Sequence, residues 1–367
     1  MKDWLQALSQ ITSSIDHCID KARGQIAHAL GIADPIRILP YWGYGTPQKL
    51  LVKGRVLKDE GVKLKEKEPS LIENVWNMYK RFATDEVPNA RVKVDLGELH
   101  QKVATNKEGF FELEFQVDLD LEHEQLWLPV KLSLLNSDTS EDDTLNKAEV
   151  MVVREKARFG VISDIDDTIV HTAATDLLKM IRIVYLGNAE SRRPFEGVAE
   201  FYQALQKGKE QENNPIFYVS SSAWNMYDVF AQFMTLNKIP KGPLFLKDIE
   251  LDLVTLFSFD HEAHKVEQIQ PIFARFPTLP FILIGDSGQK DAEIYVNLAK
   301  QHPERILGIL IRDVVPNNAK RQEELKELAK AIASTTTQFF IFRETQEAIA
   351  FAAQQGWILE EDILFKN

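Results

Sequence analysis

Residues 159–168 read Phe-Gly-Val-Ile-Ser-Asp-Ile-Asp-Asp-Thr, an apolar run that breaks at once into Asp164, Asp166, Asp167 and Thr168. An apolar run without polar alternation is how a strand reads when both its faces are buried, the condition of a parallel sheet covered by helices. Four more such runs follow, Ile216–Val219, Phe281–Ile284, Ile306–Ile311 and Phe339–Phe342, with helical segments between them. The expectation for this half of the chain is therefore an α/β fold with a parallel sheet. Ligands of such sheets bind beyond the carboxyl ends of the strands, so the aspartates after Ile162 project into the expected crevice.

Three further features sit at the matching ends of later elements. Ser220 follows Pro215-Ile-Phe-Tyr-Val219, Lys265 lies at the start of a helix, and Gly285-Asp-Ser-Gly-Gln-Lys-Asp291 follows Phe281–Ile284. These residue types suit phosphoryl transfer. An aspartate, here Asp164, can attack phosphorus in line and form an acyl phosphate, which splits hydrolysis into two easier steps. A carboxyl two residues on, Asp166, can protonate the leaving oxygen and then deprotonate water. The Ser220 hydroxyl and the Lys265 ammonium can hold the equatorial oxygens as charge builds. Clustered carboxylates repel unless a cation joins them, and Mg²⁺ prefers carboxylate and water oxygens. Asp164 and Asp286 would supply the carboxylates, with the Asp166 backbone carbonyl as a third ligand.

Lys265 is preferred to Lys247 because it opens the helix before the Phe281–Ile284 strand, and Ser220 to Ser221 or Ser222 because it ends its own strand. Asp291 keeps two readings: direct ligation of the cation, or a place beside it, acting through water or orienting Lys265. Asp167 reads as a loop-orienting or solvent-facing residue. His171, His261 and His264 read as loop or cap residues rather than ligands.

The ordered set resembles the haloacid dehalogenase superfamily, whose first motif is Asp-x-Asp-x-Thr/Val after an apolar strand. Finer detail is similar to the fungal actin-patch phosphatidate phosphatase family and its bacterial relatives. The stretches that carry this are Ser163–Ile169, Tyr218-Val-Ser-Ser-Ser-Ala-Trp-Asn-Met-Tyr227, His264-Lys265, Phe276-Pro277, Phe281–Tyr295 and Ile311-Arg-Asp313. Upstream, Pro40-Tyr-Trp-Gly-Tyr-Gly-Thr46 and Gly54-Arg-Val-Leu57 fit that family's leading β region. Ser221 and Ala223 stand where the family pattern has Asn and Pro. The resemblance implies a haloacid-dehalogenase-like Rossmannoid sheet with helices on both faces and Mg²⁺-dependent conversion of phosphatidate to diacylglycerol. About fifty residues separate Thr168 from Ser220, which leaves room for only a minimal cap. An open site suits a large or interfacial substrate. Trp224 and Tyr227, at helical spacing after the second motif, line the entrance or pack in the core.

Upstream of the sheet the grammar differs. Trp4, Leu8, Ile11, Ile15, Cys18, Ile19, Ala22, Ile26 and Leu30 recur at spacings of three and four, an amphipathic helix. Its polar face mixes Asp and Lys rather than being basic, which favours docking on its own protein over a membrane surface. Leu50–Leu57, Ala90–Leu96, Leu99–Ala104, Phe110–Val117, Leu126–Leu135 and Glu149–Val153 read as strands. Residues 104–115 read as a hairpin, with a polar turn ending in Gly109 and with Phe111, Leu113 and Phe115 on one face. So many short strands suggest a small β-sandwich. Ser70–Phe82 reads either as a helix or as a strand-flanking insertion, and Asn136–Asn146 as an exposed loop. The expected organisation is a helix over residues 1–35, a β-sandwich-like domain over 36–155 and the phosphatase domain over 156–367.

Composition sets the outer limits. With 44% hydrophobic and 27% charged residues the chain reads as globular, and its 367 residues exceed one ordinary core. Its one cysteine, Cys18, excludes an internal disulfide and points to a reducing, cytoplasmic compartment. Met1–Leu30 carries charges throughout and does not read as a signal peptide, and no apolar stretch reads as long enough to span a membrane. A net charge of −12 argues against a nucleic-acid partner. The expected partner is a phosphomonoester, a phospholipid met at a membrane surface. The two competing readings are a phosphatase of soluble metabolites or phosphoproteins, and an adaptor that binds partners through the β-sandwich.

Overall fold

The computed structural model of the chain describes residues 36–58, 86–119, 125–135, 146–170, 194–247 and 261–359. The amphipathic helix before residue 36, the Ser70–Phe82 segment, the loop after residue 135 and the cap segment with His171 lie outside the described residues. So do the side chains of His261 and His264.

The first half folds as seven strands: β1 (Ile36–Thr46), β2 (Lys49–Lys58), β3 (Arg91–Leu96), β4 (Leu99–Ala104), β5 (Phe110–Gln116), β6 (Trp127–Leu134) and β7 (Asn146–Val152). They hydrogen-bond into one sheet of order β4-β3-β6-β7-β1-β2-β5, rather than two separate ones. All neighbours are antiparallel except β1 and β7. The hairpin expected over residues 104–115 is corrected. Its turn is present: Asn106 Oδ1 accepts from the amides of Glu108 and Phe110, and Gly109 takes φ 76°. Its two arms, however, ladder elsewhere, β4 with β3 and β5 with β2. A short turn thus joins the opposite edges of the strand order, so the sheet curls back on itself. Its inward residues, among them Val52, Val94, Phe111, Phe115, Leu132 and Val150, form one core. In β1 a register shift between Tyr41 and Tyr44 brings the backbone of Gly43 and Gly45 hard against β2, where a Cβ would strike the carbonyls of Leu51 and Lys49. β1 is not among the strands expected from the sequence, because Pro40, Gly43 and Gly45 are poor strand formers.

The second half carries β8 (Gly160–Asp164), β9 (Ile216–Ala223), β10 (Leu244–Lys247), β11 (Phe281–Asp286), β12 (Ile306–Arg312) and β13 (Gln338–Phe342). They form a six-stranded sheet of order β10-β9-β8-β11-β12-β13, parallel at every pairing. The helices are α1 (Val198–Lys207), α2 (Tyr227–Leu236), α3 (His261–Arg275), α4 (Asp291–Gln301), α5 (Ala319–Ile332) and α6 (Thr345–Gln354). Alternate strand residues serve opposite faces. Val161, Ile216, Tyr218, Ile282 and Ile284 pack with α1, α2 and α6, whereas Ile162, Phe217, Val219, Phe281 and Leu283 pack with α3, α4 and α5. Burying each such side chain contributes roughly 1.5–3 kcal/mol, which explains why these runs lack polar residues. Among the described residues no helix is long and apolar enough to cross a membrane.

Strand order runs outward from β8 through β9 to β10 on one side, and through β11, β12 and β13 on the other. The reversal lies between β8 and β11, where the flanking connections diverge and open a crevice at the carboxyl ends. Asp164 ends β8 and Asp286 ends β11, so the two acids face each other across that point.

The two sheets share their packing. Tyr41 belongs to the core under α1 and α2, while Tyr44, Leu51 and Met151 belong to the core under α3. Tyr41 stacks on Trp224 at 4.7 Å between ring centroids and lies 4.3 Å from Tyr227, whose hydroxyl oxygen accepts the Trp42 backbone N–H at 2.6 Å. Arg55 donates to Asn225 at 2.8 Å, Arg275 to Glu114 at 2.6 Å and Lys241 to Glu149 at 2.7 Å.

Candidate active site

Five of the sequence-selected residues converge at the switch point, and all of them are buried. Lys265 donates to Asp164 Oδ1 at 2.8 Å and also binds Asp291 Oδ1. Thr168 Oγ1 donates to Asp164 Oδ2 at 3.3 Å. Asp164, Asp286 and Asp291 each offer a carboxylate oxygen within 4.8 Å of the others. Ser220 and Asp166 form the adjoining pair, the serine hydroxyl donating to Asp166 Oδ2 at 2.9 Å.

Local structure explains the placement. After Asp164 the chain turns tightly: Ile169 N and Val170 N donate to the Ile165 carbonyl, and Asp167 N donates to the Val170 carbonyl. Asp167 takes φ 55° to allow this, a conformation that Asp tolerates better than most residues, which fits its reading as a loop-orienting residue. Lys265 lies one turn inside α3 rather than at its first residue. Lys247 ends β10 on the far side of β9.

Ser220 does not end its strand as expected, because β10 carries the β9 ladder on to Ala223. Pairing with β8 stops at Val219, so Ser220 is the first β9 residue without a β8 neighbour. Its hydroxyl is held by the Ser222 amide at 3.0 Å and aimed at Asp166. Trp224 and Tyr227 pack against β1 rather than standing free beside the site.

Electrostatics follow from crowding acids where water is excluded. Burial raises the Asp164 carboxyl well above the usual range. Lys265 opposes that shift, while Asp291, Asp166 and Asp286 add to it. Burial likewise pushes Asp166 up to about 6, against the Ser220 hydrogen bond. Asp286 rises to about 7, through burial and then through Asp291. For Lys265 burial disfavours the ammonium, yet Asp164 and Asp291 outweigh it and hold the proton on.

The Asp286 carboxylate is anchored on one side only. Its Oδ1 accepts from Gly288 N at 2.6 Å and Gln289 N at 2.9 Å, while Oδ2 is buried with no hydrogen-bond partner among the described residues. Both oxygens of Asp291 are engaged, Oδ1 by Lys265 and Oδ2 by the Asp286 amide at 3.2 Å. Gly285 makes this possible, since a Cβ there would collide with the Asp291 side chain.

Two arginines that sequence reasoning did not assign to the site support it. Arg312 is buried between Phe195 and Phe342, and its Nε donates to the Thr168 carbonyl at 3.1 Å. Arg321 reaches from α5 to the carbonyls of Ser287 and Gln289, each at 2.7 Å. Arg312 carried a signal, since Ile311-Arg-Asp313 stood out as a motif without a stated role. Arg321 sits in a helix rich in Lys and Glu, where one more charge looks like surface.

Comparison with known proteins meets this geometry. Residues 159–313 match the family described as the catalytic domain of phosphatidate phosphatase APP1. The chain is 31% identical over 234 residues to phosphatidate phosphatase APP1 of Saccharomyces cerevisiae, covering 63% of this chain and 39% of that protein. It is 28% identical to an uncharacterized protein of Schizosaccharomyces pombe, covering 65% of this chain and 38% of that one. It thus spans about two fifths of the length of these curated relatives. A carbohydrate acetylesterase of Xanthomonas citri aligns over 85% of this chain and 72% of its own at 12% identity and a TM-score of 0.32, too slight a likeness to bear on fold or chemistry. The match spans β8 through β12 and takes in every carboxylate of the cluster together with Ser220 and Lys265, so the segment that carries the site is the one that is similar to the APP1-type catalytic domain.

Proposed function

We propose that the protein is a Mg²⁺-dependent phosphatidate phosphatase of haloacid-dehalogenase type, with Asp164 as its nucleophile. The observation that carries this reading is the Asp164 carboxylate at the strand-order reversal, clamped by Lys265 and ringed by Asp286 and Asp291. The name of the yeast relative supports phosphatidate as the substrate. An interfacial substrate goes with action from the cytoplasm at a membrane surface.

In this reading Asp164 attacks phosphorus in line, and Asp166 passes its proton to the departing alcohol oxygen. A carboxyl pushed up to about 6 still holds a proton in part of the population near neutrality. The Ser220 hydroxyl, bonded to Asp166, keeps that carboxyl oriented. Water then attacks the aspartyl phosphate as Asp166 takes its proton back, and phosphate leaves. Lys265 offsets the charge on Asp164 and the phosphoryl oxygens.

The donor set fits a hard divalent cation. The partnerless Oδ2 of Asp286 is a buried anion that a cation would satisfy, and all three neighbouring donors are carboxylates. Asp164, Asp286 and the Asp166 backbone carbonyl would hold Mg²⁺, with Asp291 placed to orient Lys265 and Asp286. When bound, the cation supplies charge neutralisation for the phosphoryl oxygens.

The test is phosphate release from phosphatidate in mixed micelles, with and without Mg²⁺, for wild type and Asp164→Asn. Release that needs both Mg²⁺ and Asp164 supports the reading. Wild-type release no higher than the variant's removes it, and faster turnover of soluble esters than of micellar phosphatidate moves the substrate to that class.

A further inference from the structure

We infer that Arg321, far in sequence from the aspartates, is a positioning residue that aims the Asp286 carboxylate and thereby sets the protein's affinity for its divalent cation. The inference rests on the cation reading of the site given above.

One peptide plane links Arg321 to Asp286. Arg321 Nε donates to the Ser287 carbonyl at 2.7 Å. That carbonyl shares its planar, trans peptide unit with the Gly288 N–H, which points the opposite way. The Gly288 N–H donates to Asp286 Oδ1 at 2.6 Å. Fixing the carbonyl end from α5 therefore fixes the direction in which the N–H meets the carboxylate. One Arg321 terminal nitrogen, Nη2, donates to the Gln289 carbonyl at 2.7 Å, so both carbonyls of the turn hang on one planar guanidinium. Hydrogen bonds at both ends of a peptide also polarise it, which strengthens the N–H donor.

The guanidinium itself is held. Glu293, in the first turn of α4, takes two of its nitrogens, one at Oε2 at 3.0 Å, and Glu324 accepts at 3.2 Å. The Arg321 backbone N–H donates to Asn318 Oδ1 at the N-cap of α5. These acids raise the guanidinium's proton affinity further, so the clamp stays charged at any working pH. On the other side of the same turn, Ser287 Oγ donates to Asp313 Oδ1 and accepts from Val314 N. With Oδ1 fixed by two amides, Oδ2 is left without a hydrogen-bond partner among the described residues, on a carboxylate that stands in the cluster with Asp164 and Asp291. A lysine could not reproduce the fork, because an ammonium is a point donor on a flexible stem.

The experiment measures Mg²⁺ binding to the purified full chain by isothermal titration calorimetry, for wild type, Arg321→Gln, Arg321→Lys and Lys330→Gln. Circular dichroism and the cation-free melting temperature establish folding. Loss of a group that orients a ligand typically costs 10–100-fold in metal affinity. The expected result is a Kd roughly 10–100-fold weaker for Arg321→Gln, a smaller loss for Arg321→Lys and none for Lys330→Gln, whose ammonium pairs with Glu327 on the exposed side of α5. Amide exchange across residues 286–290 should quicken in Arg321→Gln, a readout that general loss of α5 packing would not confine to that turn. If Arg321→Gln does not fold, Arg321→Lys decides. Wild-type Mg²⁺ affinity in a folded Arg321 variant overturns the inference alone. A wild-type protein that binds no Mg²⁺ overturns the cation reading, and the inference with it.

Discussion

Replacing Lys265 with methionine keeps the length of the side chain and removes one positive charge from between two buried carboxylates. Lys265 is 3% exposed, and Asp164 and Asp291 are each 1% exposed. At the 2.8 Å separation from Asp164, an effective dielectric of ~20 gives an attraction of about 6 kcal/mol. Much of this offsets the cost of taking the charges out of water. Breaking a buried pair from one side nevertheless costs about 3–5 kcal/mol, because the partner stays behind unpaired. For a chain of this size that lowers the melting temperature by on the order of 10 °C. Two conditions sharpen the test. The orphaned Asp164 carboxyl, raised by burial and now without its ammonium, would titrate above its unfolded value, so the unfolded state binds fewer protons than the native state there. The deficit therefore grows as pH rises and shrinks as pH falls toward 5. Removing one of the two acids as well, in Lys265→Met/Asp291→Asn, relieves part of the repulsion, so the double variant should melt above Lys265→Met. Thermal unfolding in chelator at pH 5 and pH 8, for wild type and both variants, measures all three effects. A Lys265→Met protein that melts with wild type at pH 8, or a double variant less stable than the single one, would refute the account.

Three further outcomes follow from other contacts. Tyr227→Phe removes the acceptor of the Trp42 amide and should cost about 1–3 kcal/mol by denaturant unfolding, the penalty for a lost hydrogen bond with a donor left unsatisfied. Gly285→Ala places a methyl against Asp291; overpacking of this kind costs about 1–3 kcal/mol, and displacing Asp291 from Lys265 should cut phosphate release at least tenfold in the micelle assay. Glu114 is held below its ordinary value of 4.5 first by Lys49 and then by Arg275, so its contribution is present above that value and lost as pH falls through the lower folded value. The side chain is 34% exposed, which limits the effect to less than about 1 kcal/mol; Glu114→Gln should flatten that part of the acid limb in a pH series of urea unfolding, and an unchanged limb would show that the pair contributes nothing.

What the sequence disclosed tracks how local the cause is. Burial on both faces acts on each residue separately, so Phe159–Ile162 and Phe281–Ile284 announced their strands without help from the rest of the chain. β10 did not, because Leu244–Lys247 is an edge strand of four residues. The residue types of the site were legible because phosphoryl transfer restricts them to acids, a hydroxyl and an ammonium at strand ends. Their mutual geometry was not. That Ser220 bonds to Asp166, and that Asp291 spends both oxygens on Lys265 and the Asp286 amide, depends on how β9, β11 and α3 are set side by side. Pairing in the first sheet was lost for the same reason: residues 104–115 have a hairpin's turn chemistry, but the partner of each arm is chosen by strands distant in sequence.

The same reasoning bears on the reading of the β region as a separate adaptor. A module that works alone must cover its own apolar surface. Here Tyr41 and Tyr44, two β1 residues on either side of the bulge, are each only 3% exposed, and they reach that burial in the cores beneath α1–α2 and α3. Cutting the chain between the sheets would expose both rings and would also strip Trp224 and Tyr227 of their contact with Tyr41. Trp224 lies four residues beyond Ser220, in the short 3₁₀ turn that β9 runs into. The first sheet therefore buttresses the segment that carries Ser220 toward Asp166. Its packing is part of what holds the site in register, whatever else its outer face contacts.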